Sequence, residues 1–357
     1  MKYIDILSKK RFKKKCKRSS KIRKSTDRFL YGSLFRCPEY LTVYDEKFYE
    51  KTLGFINSLE MIATHKIKKA KISFVNCKEL KAAAIVLLYA KLDSIIKLYD
   101  IELEIIGSIT SPKVNKMLKI SGFYELLNRK GTLEHKFNEF ESFLPVINGV
   151  GGQYRDEIVD FIKEKIYKNG LSPSQEHIYG DAIQEAINNV SIHAYPNSAP
   201  EHKKWWVKCD LVHDELFLVL YDQGEGIPST FVKGNKLFDE IDWNSDMALE
   251  VFSEVRKRFN LDIDRLDPQF SSKDSVAISL AMYGDLTRME GKDELKHGQG
   301  SKSIKKLVSS NQNGVLWVFS NSGLFKYENE DTLPVLADFS QSINGTLIQW
   351  NIKVRYE

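Results

Sequence analysis

The chain has 357 residues, 42% of them hydrophobic, which suggests two domains or one large one with sizeable cores. No apolar run approaches the ~18 residues of a membrane helix, and the opening "MKYIDILSKKRFKKKCKRSS" has no apolar segment of signal-peptide type. The four cysteines, Cys16, Cys37, Cys77 and Cys209, form no CxxC pair, so reduced thiols in a cytoplasmic protein are expected, not a disulfide framework or structural zinc.

The net charge of +5 is unevenly spread. Residues 1–28 hold thirteen Lys or Arg and two Asp, a net of +11, and the remainder carries −6. Residues 1–30 read as a basic, disordered tail. It is either simply solvated or attaches to nucleic acid or another polyanion. No aromatic platform or groove-reading motif accompanies the charge.

In chain order, the pattern becomes globular from about Leu41. "KISFVN" (71–76) predicts a short buried strand. "KELKAAAIVLLYAKLDSIIKLYD" (78–100) predicts a helix, "IELEIIG" (101–107) a strand, and "SPKVNKMLKISGFYELL" (111–127) a helix started by Ser and Pro. Strand, helix, strand, helix points to α/β packing. The glycines of "NGVGGQYRDE" (148–157) mark the expected domain boundary, giving domains 31–147 and 148–357. Helices are expected around 154–168 and 174–194. "KWWVKCDLV" and "ELFLVLYD" read as strands joined by a His-Asp turn, which places Trp205 and Trp206 in a sheet. A helix follows Gly300, and "GVLWVFS", "GLFKYEN" and "GTLIQWNIKV" close the chain as strands.

Within "EAINNVSIHAYP" (185–196) the apolar spacing is helical, yet the stretch carries an acid, two amides and a histidine. Positions four apart drift by about 40° on a helix, so Glu185, Asn189 and His193 share a face while Ala182, Ile183, Ala186, Val190 and Ala194 form a packing surface. Further pieces follow. "LVLYDQGEGIP" sets Asp222, Gly224 and Gly226 directly after an apolar strand. "KHGQGSKSIKKLV" sets Gly298 and Gly300 at the start of a helix. "SINGTLIQW" sets Gly345 and Thr346 at the head of the last strand. Singly, each piece is an ordinary solvated face or turn; their order is the signal.

With these pieces, residues 150–357 resemble the GHKL (Bergerat-fold) ATPases of gyrase, heat-shock-chaperone, histidine-kinase and mismatch-repair type. They are most similar to the bacterial anti-sigma-factor serine kinases, whose E-A-x-x-N-x-x-x-H-A-Y and D-x-G-x-G-I are met by "EAINNVSIHAY" and "DQGEGI". The resemblance implies an α/β-sandwich that binds ATP and Mg²⁺. Asn189 would hold the metal and Glu185 would accept a proton near the γ-phosphate. Asp222 would accept from the adenine amino group, with Gly224 and Gly226 letting the backbone pass close to the base. Gly298 and Gly300 would present a helix N-terminus to phosphate, with Lys302 adding charge and Thr346 supporting the adenine pocket. His193 is expected to be structural and Tyr195 to pack. The 72 positions from Gly226 to Gly298 exceed the interval in compact anti-sigma kinases, so about 228–297 reads as an enlarged ATP lid.

Residues 41–130 resemble the STAS fold of anti-sigma-factor antagonists. Asn76-Cys77 stands where a phosphorylated antagonist has Asp-Ser, so phosphorylation is not expected there. A helix N-terminus could lower the Cys77 pKa, and a packed, inert thiol is the plainer expectation. The outputs left open are ATP hydrolysis as a conformational switch, serine/threonine kinase activity on a separate STAS-type protein, and non-catalytic nucleotide-dependent binding. A regulatory protein partner and a homodimer are the expected associations. A histidine-kinase phosphoacceptor helix pair and a gyrase-type transducer domain are not expected, the sequence ending at Glu357.

Overall fold

A computed structural model describes residues 30–31, 33–99, 101–128, 137–231, 273–283, 300–311, 313–329 and 331–355. The basic tail 1–28 and Gly298 lie outside the described residues. The fold is mixed α/β, in two compact units, Met1–Leu133 and Glu134–Glu357. No described helix is long and apolar enough to cross a membrane.

The first unit runs β1 (Leu30–Tyr31), β2 (Leu34–Arg36), β3 (Tyr40–Leu41), α1 (Glu46–Ser58), α2 (Glu60–Thr64), β4 (Lys69–Ser73), β5 (Glu79–Leu80), α3 (Ala82–Leu98), β6 (Glu102–Ile106), α4 (Pro112–Ile120) and α5 (Phe123–Leu127). Strands β2, β4 and β6 are parallel, β1 pairs antiparallel with β2, and β3 pairs with β5 as a separate two-stranded sheet. Asp45 caps α1 by accepting from Lys47 N at 2.9 Å. Ser111 caps α4 ahead of Pro112, a pairing suited to orphan N–H groups. In α3, Ala83 to Ala90 are all buried, as befits a helix apolar on every side. The single helix expected over 111–127 is two, because Gly122 at φ 83° breaks it. Likewise the helix expected from Lys78 begins only at Ala82.

The second unit runs β7 (Phe143–Val150), α6 (Arg155–Phe161), α7 (Pro173–Asn189), β8 (Lys204–Val212), β9 (Glu215–Asp222), α8 (Ile227–Phe231), α9 (Asp274–Tyr283), α10 (Gly300–Ser309), β10 (Val315–Ser320), β11 (Gly323–Tyr327), β12 (Val335–Asp338) and β13 (Thr346–Lys353). Its sheet has the order β12-β11-β10-β13-β9-β8-β7, antiparallel throughout. Ile158, Ile183 and Ile187 of the helices join Leu218, Val318 and Trp350 of the strands in one core. Trp350 Nε1 donates to Ile304 O at 2.9 Å, tying α10 to β13. On the other face of the sheet, Lys208 is buried and satisfied by Asp210 Oδ1 at 2.7 Å and Leu144 O at 3.1 Å.

The glycines at 149–152 suggest a domain boundary at 148. The compact units instead divide at Leu133/Glu134, and Phe143 to Val150 pair with β8. Gly149 lies under the Trp205 ring, where a Cβ would come within 2.3 Å of a ring carbon, and Trp205 Nε1 donates to Gly151 O at 2.9 Å. The run is thus a strand end and its turn, not a linker.

Candidate functional site

Helix α7 starts on a reciprocal cap. Ser172 Oγ accepts from Gln175 N at 3.3 Å, and Gln175 Oε1 accepts from Ser172 N at 2.8 Å, with Pro173 at the first position. The helix is α up to Asn189 and then a π turn over Val190–Ala194. Ser191 Oγ donates to Ile187 O at 3.1 Å and Lys203 Nζ donates to Ser191 O at 2.6 Å. Such side-chain bonds satisfy carbonyls that the widened turn releases. Glu185 and Asn189 keep the four-residue spacing of the α turn, and His193 lies within the π turn that follows. Glu185 and Asn189 are both half-buried, and the Asn189 side-chain amide has no hydrogen-bond partner among the described residues.

The π turn ends against the loop after β9. Ala194 O accepts from Glu225 N at 2.8 Å, and a Cβ on Gly224 would fall 2.3 Å from that same oxygen. Tyr195 Oη accepts from Gln223 N at 2.8 Å and donates to Lys204 O at 2.9 Å. One phenol thus spans the end of α7, the start of β8 and the end of β9.

Asp222 is the last residue of β9. It stands opposite Trp205 on one side and Thr346 on the other, and is 4% exposed. Burial pushes its carboxyl up to about 7, against the N–H groups of Gly224 and Thr346, which favour the anion. The Gly224 bond to Oδ1 is 2.8 Å. Burial, and then the Asp222 charge, raise the Tyr195 phenol. Neither a protein-family model nor a curated protein matches this chain.

Around Asp222, Thr346 Oγ1 and Ser320 Oγ are 2.9 Å apart, and Ser320 Oγ accepts from Ile227 N at 2.8 Å. Gly345, at φ 127°, brings its Cα so close that a Cβ would lie 2.0 Å from Asp222 O. Asn321, in the turn between β10 and β11, donates through Nδ2 to Glu225 O at 2.9 Å and accepts through Oδ1 from Gly345 N at 3.3 Å. Gly226, at φ 81°, faces the same amide, 2.6 Å from where its Cβ would be. The glycines at 224 and 226 were assigned to the approach of a base. The atoms their side chains would strike are the protein's own.

The structure thus brings Asp222, Gly224, Gly226 and Thr346 into one cluster. Asn189 sits one π turn before the Ala194 contact, with Glu185 a further α turn back. Gly300 opens α10, which packs against α7, and Lys302 is exposed on it. Sequence reasoning missed Ser320 and Asn321. The "NSG" after a strand is a turn signal, but nothing in it says which loops the amide will join. Of the stretch 228–297 expected as a lid, residues 232–272 and 284–297 lie outside the described residues. Within that stretch α9 is core, with Ala277, Ile278 and Ser279 buried. Ser275 donates to both oxygens of Asp338, at 2.9 Å from N and 2.6 Å from Oγ, and Asp274 Oδ2 accepts from Ser322 N at 3.0 Å.

Proposed function

We propose that the second unit is a GHKL-type domain that binds Mg·ATP and uses binding and hydrolysis as a conformational switch for a regulatory partner. The observation that carries this reading is the pairing of Asp222 with Thr346 across β9 and β13, with the end of the Asn189 helix seated on the intervening loop. A buried carboxylate with a hydroxyl beside it suits an aromatic base bearing an amino group. Its raised pKa marks a carboxyl held in a site closed to water. The parallel β2-β4-β6 sheet with its helices supports the STAS-like reading of the first unit.

The donor set fits the implied ion. The Asn189 amide oxygen, without a hydrogen-bond partner among the described residues, is a hard ligand of the kind Mg²⁺ takes in small number beside phosphate and water. Bound there, Mg²⁺ would neutralise phosphate charge. Glu185 would hold the proton of an attacking hydroxyl, and α10, beginning at Gly300, would turn its free N–H groups toward phosphate.

Titration calorimetry with ATP tests the reading. Asp222→Asn replaces an acceptor oxygen with a donor and should weaken binding by roughly 1.5–3 kcal/mol, about ten- to a hundredfold in Kd. Unchanged affinity would remove the pocket assignment. With γ-labelled ATP, free phosphate alone marks hydrolysis and label on a partner marks kinase output.

A further inference from the structure

In the second unit, helices α6 and α7 border a cavity of about 310 Å³ lined by Arg155, Val159, Pro173, Glu176, His177 and Gly180. It adjoins the first half of α7, whose other end carries Glu185 and Asn189. Two of its polar side chains are already matched. Glu176 pairs with Lys163 at 2.8 Å, and His177 Nε2 lies 3.2 Å from Asp181 Oδ2. Arg155 is matched on one nitrogen only. Its Nη1 donates to Asp156 Oδ1 at 2.5 Å, a carboxylate 78% exposed, and pairs that open to water hold weakly. Its Nε is buried without a hydrogen-bond partner, and Nη2 has none among the described residues. The guanidinium rests against α7 at that helix's one glycine: a Cβ on Gly180 would come within 2.5 Å of Nη2. A buried donor left unpaired is destabilising, so its persistence calls for a partner.

We propose that this cavity is a binding site for a small aliphatic monocarboxylate held by Arg155. Nε and Nη2 lie on one edge of the guanidinium, the edge that meets both oxygens of a carboxylate. The Arg155 side chain is 31% exposed, so the guanidinium can be reached from the cavity. Val159 and Pro173 give the ligand's carbon body an apolar wall. The volume is at the lower end of the roughly 300–1,000 Å³ typical of small-molecule sites, which limits that body to a few carbons. Charge limits the ligand to one carboxylate. Around the cavity Arg155 and Lys163 stand against Asp156, Glu176 and Asp181, a surplus of acid that repels a dicarboxylate or a phosphate dianion.

The test is a titration of the ¹⁵N-labelled full-length protein with sodium butyrate, followed by nuclear magnetic resonance. The Arg155 Nε–H signal, identified by its loss in Arg155→Lys, should shift progressively with butyrate. It should stay in place with butyramide, which has the same body and no charge. By saturation transfer, Arg155→Gln should bind butyrate about tenfold or more weakly than wild type, the loss of a charge-assisted pair. The proposal is overturned if sodium chloride at equal ionic strength moves the Arg155 signal as far as butyrate does, or if butyrate leaves it unmoved. It is equally overturned if Arg155→Gln binds butyrate as wild type does, or if succinate binds more tightly than butyrate. The wild-type titration decides this even where a variant folds poorly, and no readout depends on nucleotide.

Discussion

The two sheets present their strand ends in different ways. In the first unit, parallel β2, β4 and β6 all finish on one side, so the Ser108 and Thr110 hydroxyls meet the Cys77 carbonyl there, bonding to it and to each other. In the second unit, antiparallel neighbours bring the end of one strand to the start of the next. Asp222 and Thr346 therefore meet as a register pair, and the loops are drawn in by glycines whose missing side chains let backbone touch backbone. A parallel edge can be adjusted by changing a side chain. The antiparallel junction has no room to be adjusted, which makes it the stiffer of the two.

The largest break in that contrast should come from Gly345→Ala. A Cβ would lie 2.0 Å from Asp222 O at a φ of 127°, so backbone must move. A loss of about 3 kcal/mol or more is expected in denaturant unfolding of the second unit. A change under about 1 kcal/mol would mean the junction is softer than its contacts imply. Ser108→Ala probes the other side. It removes the shorter of two bonds to the Cys77 carbonyl and the acceptor for Thr110 N and Ser111 N, and should cost roughly 1–3 kcal/mol. Hydrogen exchange should show that loss within residues 73–115. Protection lost instead in the second unit would be the wrong outcome.

The third test is a pH trend. Asp222 sits at about 7 in the fold against an ordinary 3.8, so the folded chain keeps a proton that the unfolded chain has released. That contribution is whole below pH ~4 and is lost as pH rises through 7. Wild type should lose stability relative to Asp222→Asn between pH 5 and 8 in urea titrations. A flat difference would show the carboxyl ionised throughout. Ser108 does not titrate, so its bonds lend the first unit no such trend in this window.

Much of the site was legible. "DQGEGI" after an apolar strand located Asp222 at a strand end, and "NGT" put Thr346 at the head of another, because strand periodicity and turn residues are local properties. The helix carrying Glu185 and Asn189 was also expected, up to the π turn. Within that turn Lys203 reaches back to Ser191 O, a contact no local pattern encodes. Strands β7 and β12 were not foreseen. Pro145 and a register shift between Leu144 and Ile147 disguise the first, and β12 is a short edge strand of mixed exposure.

What the sequence determined alone is what 3.6- and 2-residue periods, caps and glycines dictate: alternating elements, the buried helix α3 and the strand ends bearing Asp222 and Thr346, beside a basic excess that lies within residues 1–28. Only the tertiary structure decided the neighbours. Ser108 reaches the Cys77 carbonyl 31 residues away, Asn321 joins loops nearly a hundred residues apart in one direction and 24 in the other, and α9 packs into the core. These pairings arise from which strands lie side by side, and a chain acquires that order only when distant apolar faces are buried together.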